Sequence, residues 1–273
     1  MDSAISPDSH PAFHSVSRSA LWEVHVLVDR SDEAPRQGQR LRLLCLHGHD
    51  ETPERLCEGL QTFFDQLAKV GTDKRVTVEC RCVAAHIHEP SRYNGYKWFR
   101  YDEQCGERPE DWADMEVAIT KLAVELEAAE HNELPYDGVV GFSQGAEMVH
   151  AVVLLQHQGD PRFCSLSSPH FVVSFSGAVN PGHFEAVSGG GPPRNLLGPY
   201  LGPKAGEIKM PCLFLYDRTD KWYPCSRVAQ TMDLYADRVA VEHSQKHSVP
   251  RAQLSSESVS AAQRFLLRFA RQR

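Results

Sequence analysis

Between Tyr136 and Met148 the chain reads YDGVVGFSQGAEM, and this stretch restricts the fold more than any other. An apolar run, DGVVGF, ends directly at Ser143, and helix formers, QGAEMVHAVVLLQ, begin directly after it. Gly141, Ser143 and Gly145 make a G-x-S-x-G pattern. A strand that turns into a helix without a loop forces a tight, strained backbone at the junction. Glycines on either side let the strand and the helix approach each other. The turn holds the hydroxyl outward at the carboxyl edge of a sheet, beside the unpaired N–H groups and partial positive charge of a helix N-terminus. In this context the pattern predicts a nucleophile elbow. The competing reading is a serine that only caps the helix.

The rest of the chain supplies a sheet for that elbow. LRLLCL (41–46), RVTVECRCV (75–83), HFVVSFSG (170–177), CLFLYD (212–217) and RVAVEH (238–243) are short apolar or alternating runs that predict strands. Helical spacing links Leu56, Leu60, Phe63 and Leu67 after Pro53, then Met115, Ile119, Leu122 and Leu126. Further helices are expected around Val228, Met232 and Tyr235, and around Val259, Ala262, Leu266 and Phe269. Strands alternating with helices predict an α/β fold, a mostly parallel central sheet with helices on both faces. Residues 1–38 differ in composition and are expected to be an N-terminal extension, with room for one extra strand in LWEVHVLV (21–28); residues 39–273 form one domain. The Gly- and Pro-rich stretch 184–204 predicts a surface loop flanking a pocket.

Composition excludes several classes. The net charge is 29 − 36 = −7, with no basic run, which argues against a nucleic-acid partner. No apolar run of about 18 residues predicts a membrane span, and the N-terminus lacks the pattern of a secretory signal. The eight cysteines are scattered without a C-x-x-C pair, so a reduced, cytoplasmic chain is expected rather than a disulfide scaffold. Cys80 and Cys82 share one strand face and are expected to pack. His86 and His88 lack a third ligand at metal-site spacing, so no metal is expected, and no Gly-rich phosphate loop points to a nucleotide. No cofactor is expected.

A serine hydroxyl needs a base to take its proton, and on such a fold the acid and then the histidine follow the serine. Two segments qualify, CLFLYDRTDKWYP (212–224) and EHSQKHSVP (242–250). For the acid, Asp220 is better placed than Asp217 to reach the next loop, and Asp217 suits a turn. For the base, His247 lies in the loop and His243 at the strand end, so His247 is placed ahead and His243 is read as packing. The oxyanion-hole N–H groups are expected from Gln144 and from His49, in the loop after LLCLHG (43–48). There position counts for more than side chain.

Together LLCLHG, YKWFRYD (96–102), YDGVVGFSQGAEM, CLFLYDRTDKWYP and HSQKHSVP (243–250) resemble the family serine hydrolase (FSH) group of α/β hydrolases, over roughly residues 41–270. The resemblance implies the α/β-hydrolase fold and a cytosolic carboxylic-ester or thioester hydrolase acting on small to medium acyl chains. It implies Ser143, Asp220 and His247 as triad, with Trp98 and Phe99 against the substrate. The chain departs from the family in carrying Asp217 where glycine is usual, Gln245-Lys246 in place of a glycine pair, and the bulkier HDETPE after HG. Two alternatives stand beside this reading. One is an acyl-protein thioesterase or lysophospholipase, which shares the GFSQG elbow. The other is an inactive hydrolase fold that binds an acyl ligand or a protein.

Overall fold

The computed structural model describes residues 20–22, 39–69, 76–88, 94–101, 109–167, 169–179 and 206–272. The loop expected at 184–204, and the strand expected at 21–28 beyond Trp22, lie outside these residues. The elements follow in the order β1 (Ala20–Trp22), β2 (Gln39–Leu46), α1 (Pro53–Lys69), β3 (Val76–Val83), β4 (Ile87–His88), β5 (Tyr96–Lys97) and α2 (Pro109–His131). Then come β6 (Gly138–Phe142), α3 (Gln144–His157), β7 (Phe171–Phe175), β8 (Cys212–Tyr216), α4 (Cys225–Asp233), β9 (Arg238–Glu242), α5 (Ser256–Leu267) and β10 (Arg271–Gln272).

The main sheet runs β1-β3-β2-β6-β7-β8-β9. From β3 to β9 all neighbours are parallel, while β1 joins β3 and β10 joins β2 antiparallel. Chain order reverses between β2 and β6, because β3 lies on one side of β2 and β6 on the other. In open α/β sheets a crevice opens at such a switch point, beyond the carboxyl ends of the strands. His47, Ser143, Ser176, Asp217 and His243 each follow directly on one of the parallel strands, so all five lie along that edge.

Strand alternation sorts the apolar residues onto two faces. Leu41, Leu43 and Cys45 pack with Leu56, Leu60 and Phe63 of α1 and with Val259, Ala262 and Phe265 of α5. Leu44 and Leu46 pack on the other face with Met115, Ile119 and Leu122 of α2 and Met148 and Val152 of α3. Both sides of the sheet are covered, which is why its strands read as continuous apolar runs. Helix starts follow local rules. Pro53 opens α1, where the missing N–H is not needed, and the Ser255 hydroxyl accepts the N–H of Ser258 at 3.1 Å at the start of α5. Tyr235 and Phe269, expected on helices, fall just past the ends of α4 and α5. Tyr235 is instead fully buried and bridges to Ile208.

One expectation is corrected. Cys57 of α1 and Cys82 of β3 are joined in a disulfide, their Cα atoms 6.6 Å apart. The two lie 25 residues apart in different element types, and only the docking of α1 on the sheet brings them together. Cys45, Cys80, Cys164, Cys212 and Cys225 are free.

Candidate active site

Ser143 is the residue at which β6 becomes α3, and its backbone has φ 55° and ψ −121°. For a residue with a side chain this region costs on the order of 1–3 kcal/mol, held in place by the surrounding structure. The flanking glycines explain how it is held. A Cβ at Gly141 would lie 2.5 Å from the Cα of Ala146, and one at Gly145 would lie 2.3 Å from the carbonyl oxygen of Leu46. Either would push the helix off the strands. The Ser143 side chain makes no capping hydrogen bond to α3, which removes the reading of it as a helix cap.

The hydroxyl instead meets an imidazole. Ser143 Oγ lies 2.8 Å from His247 Nε2, and His247 Nδ1–H donates to Asp220 Oδ2 at 2.8 Å. The second Asp220 oxygen accepts the N–H of Trp222 at 2.8 Å and of Tyr223 at 3.2 Å. Burial alone would raise the Asp220 carboxyl; the His247 contact and these two N–H groups outweigh it and hold the carboxyl below its ordinary value. Tyr223 stacks on the imidazole at 5.6 Å with planes 9° apart, and Phe142 lies 5.2 Å from it. Tyr223 lies within CLFLYDRTDKWYP (212–224), where nothing in the sequence marks it as a partner of the histidine.

His243 and Asp217 occupy the neighbouring positions and do something else. His243 is buried, and its Nδ1 accepts the N–H of Gln245 at 3.2 Å. Asp217 Oδ1 accepts both the N–H of Thr219 at 2.6 Å and its hydroxyl at 2.7 Å, while Oδ2 accepts the N–H of Lys246 at 2.5 Å. Burial would raise this carboxyl too; the Thr219 and Lys246 donors hold it below its ordinary value.

On the other flank, the loop after β2 presses against the serine. A Cβ at Gly48 would come 3.2 Å from the Ser143 Cβ, so the HG pair brings main chain close to the hydroxyl. His49 is exposed there, its ring 5.5 Å from that of Tyr101. Gln144 opens α3, so its N–H belongs to the first turn, which the helix cannot pair internally. The Gln144 side chain, however, is not idle. Its Oε1 accepts the N–H of Trp98 at 2.9 Å and its Nε2 donates to the Phe99 carbonyl at 2.8 Å. The Trp98 indole N–H in turn donates to the His47 carbonyl at 2.8 Å. The N–H of Asp50 and of Tyr96 pair the same loop with β5, at 3.0 Å and 2.8 Å.

Trp98 and Phe99, expected against the substrate, therefore need correction. Both are 0% exposed and pack in the core with Leu46 and Met148. They have no surface to offer a ligand; they tie the loop after β2 to the start of α3. Bonds between their main chain and the Gln144 amide carry no sequence signature, whereas an aromatic pair is visible in any reading.

Two buried groups went unassigned from the sequence. His47 is fully buried, donates through Nδ1 to the Gly48 carbonyl at 2.7 Å, and accepts the Ala85 N–H on Nε2 at 3.1 Å. That arrangement suits the neutral ring, and burial lowers its pKa to about 4. Glu147, one turn into α3, is 2% exposed. Burial raises it to about 8 against the opposing effects of Tyr223, Arg227 and Tyr101. The Tyr101 hydroxyl donates to it at 3.4 Å and lies 3.4 Å from that of Tyr223.

Known proteins agree with this architecture. Esterase OVCA2 of Bos taurus is 30% identical over 161 residues, which cover 54% of this chain and 63% of that protein. The chain thus spans under two thirds of the length of this curated relative. Among solved structures, acyl-protein thioesterase 2 of Zea mays aligns with a TM-score of 0.53 at 16% identity, over 86% of this chain and 96% of that one. Esterase PE8 aligns with a TM-score of 0.52 at 21% identity, over 85% and 94%. At these identities the structural likeness shows the α/β-hydrolase fold alone. The family is carried by sequence: the model for serine hydrolase (FSH1) matches residues 37–259, so this chain belongs to the FSH1 serine hydrolase family.

Proposed function

We propose that this chain hydrolyses carboxylic esters or thioesters of small to medium acyl chains through an acyl-enzyme on Ser143. The observation that carries the reading is the continuous relay from Ser143 Oγ to His247 Nε2 and from His247 Nδ1 to Asp220, 2.8 Å at each step. Ser143 attacks the acyl carbonyl as His247 Nε2 takes its proton. Asp220 keeps the proton on Nδ1, so that Nε2 is free to act, and stabilises the imidazolium as it forms. The tetrahedral oxyanion faces the N–H groups of Gln144 and His49, and losing one such donor costs about 3 kcal/mol of barrier stabilisation. His247 returns the proton to the leaving alcohol or thiol. Water, deprotonated by the same imidazole, then releases the acid.

Among the described residues, Trp222 offers apolar surface beside this site. The residue is 75% exposed, and its ring lies 6.5 Å from that of His247. Its N–H is held by Asp220, so its main chain moves with the triad. We assign it to contact with the substrate, in the role the sequence suggested for Trp98 and Phe99.

A turnover screen over acyl esters and thioesters of graded length tests the reading, run with Ser143→Ala and with a fluorophosphonate that labels activated serines. Hydrolysis and labelling are expected in the wild type and neither in the variant. A folded wild type that neither turns over nor labels overturns the reading and leaves an inactive binding fold.

A further inference from the structure

Resting on that reading, we propose that Asp217 is a positioning residue. It fixes where His247 stands by holding the main chain of Lys246 in a left-handed conformation. Lys246 has φ 57°, a region that lysine avoids and glycine adopts freely. Its N–H is the donor that Asp217 Oδ2 accepts at 2.5 Å, and His247 is the next residue. The same carboxylate holds Thr219 through Oδ1 by two bonds, at 2.6 Å and 2.7 Å. The Asp217 carbonyl accepts the N–H of Asp220 at 3.1 Å. One buried side chain thus sits at the root of both loops, the one that delivers the acid and the one that delivers the base.

The far side of the His247 loop is anchored without Asp217. Gln245 Oε1 accepts the N–H of Arg251 at 2.8 Å and of Ala252 at 2.7 Å, and its Nε2 donates to the Ala252 carbonyl at 2.9 Å. The Ser248 hydroxyl donates to the Gln245 carbonyl at 2.8 Å. Those bonds keep the loop folded, and the Lys246 N–H bond orients its crest. A base must sit within a few tenths of an ångström of the hydroxyl it serves, and a misplacement of about 1 Å is enough to cost about a hundredfold in rate. Asp217 supplies an acceptor on one loop, and that acceptor makes a non-glycine residue workable on the other.

The experiment is a double-mutant cycle on the full chain with Asp217→Asn, Lys246→Gly and both together, measuring kcat, KM, fluorophosphonate labelling rate and Tm. Asparagine has one acceptor oxygen, so its amide NH2 would face the donors of either Thr219 or Lys246. Asp217→Asn is expected to lower kcat and the labelling rate by about tenfold with KM within about twofold. Lys246→Gly is expected near wild type. In the glycine background the cost of Asp217→Asn is expected to fall to about threefold or less, because glycine enters the left-handed conformation without strain. Equal losses in both backgrounds, or no loss in either, overturn the proposal; a merely stabilising carboxylate predicts equal losses tracking Tm. Should Asp217→Asn not fold, Thr219→Val replaces it in the cycle, with a smaller loss that glycine at 246 again relieves. Absence of labelling in the wild type would overturn the hydrolase reading itself. A labelled wild type with uncoupled variants would overturn the Asp217 assignment alone.

Discussion

The two flanks of Ser143 are built from different chemistry. On the β2 side the loop after His47 is held mostly by neutral groups, an indole, an amide and main-chain carbonyls; within it the Glu51 carboxyl accepts the N–H of Gly48 at 3.0 Å and is raised above its ordinary value by burial. On the β8 and β9 side the loops are held by two buried carboxylates, Asp217 and Asp220, each kept below its ordinary value by the donors it accepts. The difference is functional. An oxyanion is served by fixed dipoles that need no proton exchange, whereas a base that cycles between neutral and charged forms needs an anion behind it.

The sharpest way to break this comparison is to neutralise the charged flank. Asp220→Asn is expected to lower kcat by about 10⁴-fold, since the amide favours the wrong imidazole tautomer; a loss no greater than that of Asp217→Asn would erase the division of labour between the two acids. On the neutral flank, Gln144→Met keeps the bulk of the side chain and removes its bonds to Trp98 and Phe99. It is expected to cost about 10²-fold in kcat by displacing the oxyanion donors. That loss should be the same at every pH from 6 to 9, and a pH-dependent loss would show that the amide acts on a titrating group instead.

Stability against pH separates the flanks again. The carboxyls of Asp217 and Asp220 lie below their ordinary 3.8 in the fold, so they stabilise it above that pH and the contribution is lost as pH falls through their folded values. Thermal unfolding of Asp217→Asn is therefore expected to vary less with pH below 3.8 than that of the wild type. Glu147, between the flanks, has the opposite sign. Its ordinary value of 4.5 is raised to about 8, so the folded chain holds a proton the unfolded chain releases, and stability falls as pH rises between those values. Glu147→Gln is expected to flatten that slope, read as Tm against pH, and a Tm slope unchanged by the substitution would show that Glu147 is not the group responsible. The smallest effect is expected at the rim. Trp222→Ala should raise KM by about three- to tenfold for the longer acyl esters and leave acetyl esters unchanged, following about 0.8 kcal/mol per buried methylene. An equal shift for both would deny the ring its acyl contact.

Much of this molecule is legible along the chain because its signals are local. Apolar runs such as LRLLCL and DGVVGF announce buried strands, and the i, i+4, i+7 spacing of Leu56, Leu60 and Phe63 announces α1, since one element's own periodicity decides which side faces inward. The elbow is legible for the same reason: Gly141 and Gly145 flank Ser143 within five residues, and their absent side chains are what a strand–helix junction demands. Other features carry no such mark. The bonds of Trp98 and Phe99 to Gln144 join positions 46 and 45 residues apart, so an aromatic pair that reads as pocket lining turned out to be a brace. Cys57 and Cys82 meet only because α1 docks on β3.

The sequence by itself determined the order of strands and helices, the strained serine between two glycines, and the small set of carboxylates and histidines from which a relay could be drawn. Only the tertiary structure decided which of them meet. Ser143 and His247 are 104 residues apart and Asp220 and His247 are 27 apart, and their distances depend on how strands β6, β7, β8 and β9 line up side by side. That stacking is a property of the whole sheet and its two apolar faces, and no short stretch of the chain encodes it.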